Sequence, residues 1–253
     1  IIPLNWTAKV EFIVTSFSSF HGVDENPTEQ LAKWLRTSLE EGRLAQLGLA
    51  VRDIKILRVA AKDVDAFFAQ LAHQLEQAAA PGVMGTTCTG ATGNVAGKDP
   101  ITIRTSDEDV GTVMKRPRTV LLHLGVASGA TEYRLESRAY NCANFRVADE
   151  GGWCPVMEEI EPGRGSSLWV GSRLPLQTVC KHLVAEGHNV VVSEDAGRFV
   201  CNWTYYRACS LAERYGTEAV FVHVPPFEVF GEEEQRAFLI DVMQVIAGCL
   251  NNP

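Results

Sequence analysis

Cys201 and His223 are the two side chains whose setting in this sequence suits chemistry. Cys201 stands in "VVVSEDAGRFVCNWTYYRACSLAERYG" (190–216), where a β-branched run gives way to an Ala-Gly turn and then to a helical pattern. A helix start presents unpaired N–H groups and the positive end of the helix dipole, so it favours an anion and biases a thiol toward its nucleophilic thiolate. His223 lies 22 residues further on, in "VFVHVPP", at the end of what is expected to be a strand neighbouring the one before Cys201. An imidazole placed there can take the thiol proton and later give it to a leaving amine. A third group that orients the imidazole completes such a site, and Glu136, Asp149 and Asp195 are the acids available. The chemistry would be acyl transfer through a thioacyl intermediate. Taken singly, a cysteine at a strand-to-helix junction and a histidine between two valines are more often packing residues than catalysts.

The elements that must hold these groups follow from periodicity. Apolar runs at 8–17, 54–60, 118–127, 132–141, 188–194 and 219–225 read as strands. Helical spacing marks "ENPTEQLAKWLRTSLEEG", 62–80, the segment "LPLQTVCKHLVAEG" with Gly187 as its stop, the run from Cys201 to Gly216, and an acidic-capped terminal helix. The first helix carries a full start signature, with Asn26 as N-cap, Pro27 at the first position and Glu29 as a capping-box partner. Strands alternating with helices imply a three-layer α/β/α sandwich around a mostly parallel, mixed sheet. Ligands of such sheets bind beyond the carboxyl ends of strands, where Cys201 and His223 are expected. Residues 81–117 are rich in glycine and threonine and sustain no period, so they read as an insertion in a single domain spanning 1–253.

Composition narrows the function. A chain of 253 residues that is 46% hydrophobic can bury a large core. Its net charge of -8 argues against nucleic-acid binding, which needs clustered Lys and Arg. The apolar runs are of strand length, short of the ~20 residues a membrane helix requires. Seven cysteines without a C-x-x-C pair suggest neither a disulfide framework nor a zinc site, and a reducing cytosol fits them best. Asn5-Trp6-Thr7 and Asn202-Trp203-Thr204 match the glycosylation sequon, a motif too short to weigh much.

Several runs together resemble the pyroglutamyl peptidases of type I, cysteine peptidases that remove an N-terminal 5-oxoproline from peptides. "VVVSEDAGRFVCN" has that family's Ser-x-x-Ala-Gly-x-aromatic-Val-Cys-Asn run, which implies Cys201 as the nucleophile. "VFVHVPP" is similar to its His-x-Pro strand end and implies His223 as the general base. "RLESRAYNCANFRVADEGG" resembles the segment with the catalytic glutamate and a downstream arginine, implying Glu136 as the orienting acid and Arg146 in the site lining. "IVTSFSSFHGVDENP" is similar to the loop with two phenylalanines and an Asn-Pro. Phe17 and Phe20 would then sandwich the lactam ring, Asn26 or nearby backbone would hydrogen-bond it, and Phe199 and Val200 would close the pocket. The sequence departs from the pattern at Val126, a pocket position where glutamine is usual, at Ala130 in place of an arginine, at Ser137, and in the Ser-Ser-Phe-His of the first loop. The resemblance implies a substrate peptide with N-terminal pyroglutamate and requires no metal or organic cofactor. The alternatives are a non-catalytic binding protein on the same scaffold and a hydrolase of another blocked amide.

Overall fold

The computed structural model describes residues 10–79 and 117–251. The expected insertion at 81–117 lies outside them except for Pro117, as does Cys88.

Strand β1 (Val10–Phe17) is buried at every position, as a strand covered on both faces must be. Helix α1 (Pro27–Glu40) starts as its signature predicts: Asn26 is extended and its side-chain oxygen accepts from the Thr28 N–H at 3.1 Å. The capping-box role expected of Glu29 is not what forms. Its carboxylate instead accepts from the Ser19 N–H at 3.0 Å and pairs with Lys33, because the chain before the helix folds back within reach. The short helix α2 (Arg43–Gln46), strand β2 (Val51–Leu57) and helix α3 (Ala61–Ala79) follow, then β3 (Arg118–Val126). The run at 132–141, read as one strand, is two: β4 (Tyr133–Glu136) and β5 (Arg138–Tyr140), in different sheets. After β6 (Trp169–Gly171) come α4 (Leu176–Ala185), β7 (Val190–Ser193), α5 (Val200–Tyr215), β8 (Glu218–Val224) and α6 (Glu232–Asn251).

The main sheet has the order β2-β1-β3-β8-β4-β7, with β5 and β6 forming a separate two-stranded piece. β2, β1, β3 and β8 are parallel, while β4 runs antiparallel to β8 and β7 runs parallel to β4. Only six residues link β3 to β4, too few for the crossover that a parallel return needs, so the chain reverses. One apolar layer packs α1, α4 and α6 on the sheet through residues such as Leu35, Val179 and Val242. The other packs α3 and α5 through Val64, Phe68, Tyr205 and Phe221. This is the three-layer α/β/α sandwich with a mixed, mostly parallel sheet. Among the described residues no helix is long and apolar enough to cross a membrane.

One positional expectation needs correction. β7, the strand before Cys201, is separated from β8 by β4 and runs opposite to it. Residues 194–199 therefore carry the chain across to the carboxyl ends of β3 and β8, where α5 begins.

Candidate active site

The site forms on the α5 side of the sheet at the exits of β3 and β8. Gly125 of β3 pairs in register with His223 of β8, and its missing side chain is what makes room. A Cβ on Gly125 would come within 2.7 Å of the Phe221 ring and 3.1 Å of the Cys201 sulfur. The thiol thus rests in a hollow that only glycine leaves open. Cys201 is the second residue of α5, and no side chain caps that helix start. The first N–H groups of the helix remain free to face an anion.

His223 is buried, and its Nδ1 donates to Glu136 Oε1 at 2.7 Å. That contact directs Nε2 toward Cys201. Burial by itself pulls the imidazole pKa down. Hydrogen bonds from Cys201 and Glu136, and the charges on both, outweigh it and raise the value from 6.5 to about 9. The ring is therefore protonated at neutral pH. Glu136 is fully buried and lies opposite Phe221 in the antiparallel β4–β8 pair, which makes it the diagonal, same-face neighbour of His223. The other two acids are occupied elsewhere. Asp149 accepts from the backbone N–H groups of Ala61, Gly151 and Trp153, all at 2.9 Å, and holds a loop on the start of α3. Asp195 is exposed and bonds to Gly197 and Arg198.

Beside Cys201 opens a cleft of about 240 Å³, part of it continuous with solvent, lined by Phe17, Phe20, Asn26, Val59, Val126, Phe199, Val200 and Cys201 itself. It is narrow, and apart from Asn26 and Cys201 its lining is apolar. Phe20 and Phe199 face each other across it with centroids 6.3 Å apart, and Phe145 backs Phe199 edge-on at 4.8 Å. Asn26 is almost wholly committed. Its oxygen accepts from both the backbone and the hydroxyl of Thr28 and its amide donates to the Ser18 carbonyl, leaving one N–H. A larger hollow of about 950 Å³ lies by Arg164, Trp169 and Arg173, but its thiol, Cys209, is pushed up to about 12 by burial. Among the described residues no cluster of three or more His, Cys, Asp or Glu could hold a metal ion.

Of the side chains expected in the site, Phe17, Phe20, Asn26, Val126, Phe199 and Val200 line the cleft with Cys201, and His223 and Glu136 stand in hydrogen-bonded series beside it. Arg146 does not line the cleft: it is exposed, while its neighbour Phe145 turns inward onto Phe199. Val59 in the lining and Gly125 under the thiol were missed. A glycine inside a strand is a usable signal of close approach by another group, and Gly125 carries it.

The sequence model of the family described as pyroglutamyl peptidase matches residues 78–237, more than half of the chain. The chain belongs to this family. Pyroglutamyl-peptidase 1 of Homo sapiens is 35% identical over 115 residues, which cover 44% of this chain and 52% of that one. The pyrrolidone-carboxylate peptidase of Fusobacterium nucleatum is 29% identical over 125 residues, 48% of this chain and 58% of its own. The chain thus spans a little over half the length of these curated relatives. A longer match, to the pyrrolidone-carboxylate peptidase of Thermococcus litoralis, is 25% identical over 215 residues and covers 84% of this chain and 75% of that one. In three dimensions the pyrrolidone carboxyl peptidase from Thermococcus litoralis superposes with a TM-score of 0.67 at 19% identity, over 95% of this chain and 94% of that one. The pyroglutamyl peptidase I from Bacillus amyloliquefaciens gives 0.65 over 94% of each. These likenesses fix the fold of this member of the family.

Proposed function

We infer that this chain is a cysteine peptidase that removes an N-terminal 5-oxoproline from peptides, with Cys201 as nucleophile, His223 as acid and base, and Glu136 as the group that orients and charges the imidazole. The observation that carries this is the buried His223–Glu136 hydrogen bond set against the Cys201 thiol, beside a narrow cleft with aromatic walls. The thiolate adds to the carbonyl carbon between the 5-oxoprolyl residue and the next. A C–S bond forms and the carbonyl electrons move to oxygen, where the N–H groups at the start of α5 receive them. Collapse breaks the C–N bond as the imidazolium gives its proton to the leaving amine. The neutral imidazole then takes a proton from water, whose oxygen attacks the thioester, and 5-oxoproline leaves as the thiol is restored.

The apolar walls suit a neutral lactam between Phe17, Phe20 and Phe199, and the spare N–H of Asn26 suits its ring carbonyl. The partners are peptides and no nucleic acid. The six cysteines among the described residues are free thiols, which agrees with a cytoplasmic setting. Chain 1–253 acts as one catalytic domain, with 81–117 an insertion in it. The test is hydrolysis of a 5-oxoprolyl fluorogenic amide before and after thiol alkylation, with a prolyl amide as control. Sites built to bond a group that the analogue lacks reject it by ~10⁴–10⁵. Comparable turnover of the prolyl amide, or activity that survives alkylation of Cys201, would overturn the assignment.

A further inference from the structure

Helix α5 presents Cys201, and its next residue reaches in another direction. Asn202 is fully buried, and its amide is spent on the chain that leaves Glu136. Its Oδ1 accepts from the Tyr140 N–H at 2.8 Å, while its Nδ2 donates to the carbonyls of Tyr140 at 2.8 Å and Cys142 at 3.0 Å. A primary amide offers an acceptor and two donors on one small group. Asn202 thus meets both backbone groups of Tyr140, as a neighbouring strand would, while β6 pairs along the other edge of β5. One turn further along the helix, the Tyr205 hydroxyl donates to the carbonyl of Glu136 itself at 2.6 Å. At Glu136 the chain leaves the main sheet: the Ser137 N–H makes a last bond to the Ser193 carbonyl at 2.7 Å, and beyond it β5 pairs only with the short β6. To these holds α5 adds its own, at residue 136 and again at residue 140.

We propose that Asn202 and Tyr205 are positioning residues for the acid–base pair: they lock the Glu136 segment to the helix that carries Cys201, so one rigid element sets both the approach of thiol to imidazole and the grip of the carboxylate on His223. The proposal rests on the reading of Cys201, His223 and Glu136 given above. Its physical content is that the three groups come from segments far apart in the chain, and a shift of ~1 Å between such groups can cost on the order of 10²-fold in rate. Alanine at 202 leaves the Tyr140 N–H and the Cys142 carbonyl without the partner Asn202 gave them, while the Tyr140 carbonyl keeps only the Cys142 N–H. Phenylalanine at 205 removes one oxygen and keeps the ring in place.

The experiment compares Asn202→Ala and Tyr205→Phe with the unaltered chain in two measurements. The first is the rate of Cys201 alkylation by iodoacetamide across pH, followed by mass spectrometry. The second is kcat and KM on a 5-oxoprolyl amide. For Asn202→Ala the expectation is a kcat lower by about 10²-fold with KM little changed. In both measurements the transition belonging to His223 moves to lower pH, because a loosened Glu136 no longer holds the imidazolium. Tyr205→Phe moves both in the same direction by less, and it decides the matter if Asn202→Ala does not fold. An unmoved transition in the folded variants, with only thermal stability reduced, overturns the proposal. Alkylation needs no substrate. If the transition moves but no 5-oxoprolyl amide is cleaved by any form, the substrate assignment falls and the positioning role stands.

Discussion

Replacing Glu136 by glutamine keeps the size of the side chain and removes the charge that faces His223. Burial disfavours the imidazolium, yet the hydrogen bonds and charges of Cys201 and Glu136 carry its pKa from 6.5 to about 9. That displacement corresponds to roughly 3 kcal/mol in favour of the protonated ring. A raised histidine adds stability that is complete below about pH 6.5, where folded and unfolded chains both hold the proton, and that is lost as pH climbs through about 9. On the proposed mechanism the same proton is delivered to the leaving amine, so kcat/KM should fall above about pH 9. In Glu136→Gln the burial cost is no longer offset from that side. The fall should begin at lower pH, and the maximum rate should drop less than in Cys201→Ala, where no acyl transfer can begin. The assay is kcat/KM on a 5-oxoprolyl amide from about pH 6 to pH 10, with urea unfolding over the same range. A descending limb at the same pH in both proteins, or one that moves upward, would refute the claim that Glu136 holds the proton on His223.

Gly125→Ala should cut activity sharply, because the new methyl meets the Phe221 ring at 2.7 Å and the Cys201 sulfur at 3.1 Å; overpacking of this kind costs ~1–3 kcal/mol, and a rate near that of the unaltered chain would show that the hollow is not needed. Cys201→Ala and His223→Ala should each abolish turnover, and the double variant should be scarcely worse than either, since groups acting in one step are non-additive; additive losses measured in single turnovers would separate their roles. Brief iodoacetamide treatment should label Cys201 before Cys209, whose thiol is held at about 12 mainly by burial, and peptide mapping reads the order directly. His123 is wholly buried, with its pKa lowered to about 3 by that burial. The unfolded chain gains a proton there as pH falls below about 6.5 and the folded one does not, so acid should destabilise the protein, by up to about 5 kcal/mol at this group. His123→Leu should lose less stability than the unaltered chain between neutral pH and about pH 4 in urea titrations.

The order of helices and strands was legible because each carries its own period and punctuation, as Asn26 and Pro27 do for α1 and Gly187 and Gly216 do for the ends of α4 and α5. The break of 132–141 into two strands was not. Ser137 is no strand breaker, and the division is imposed from outside, by β7 and β8 pairing with residues as far as Glu136 and by Asn202 taking over at Tyr140. The direction of β4 was open to inference from the brevity of its link to β3, but the sequence pattern of a short strand has no sign. Cys201 and His223 stood out through their local settings, whereas residue types alone left three acids open; the family resemblance singled out Glu136, and the β4–β8 register is what sets it beside the imidazole. Arg146 and Phe145 show the limit of reading along a loop. Only the packing of Phe145 on Phe199 and Trp153 decides which of two neighbours turns inward.

The antiparallel register of β4 on β8 also bears on when the site comes into being. Side chains alternate faces along a strand, so a slip of β4 by one residue would turn Glu136 away from His223 and into the apolar layer under α1, α4 and α6. A chain in which β4 is undocked or misaligned carries the thiol and the imidazole without the carboxylate that helps hold the proton on His223. Pairings between distant segments close late, since the loops they seal must first be drawn together. On the proposed mechanism, competence for acyl transfer then waits on the docking of β4, and a newly made chain would pass through synthesis and collapse with its site still incomplete.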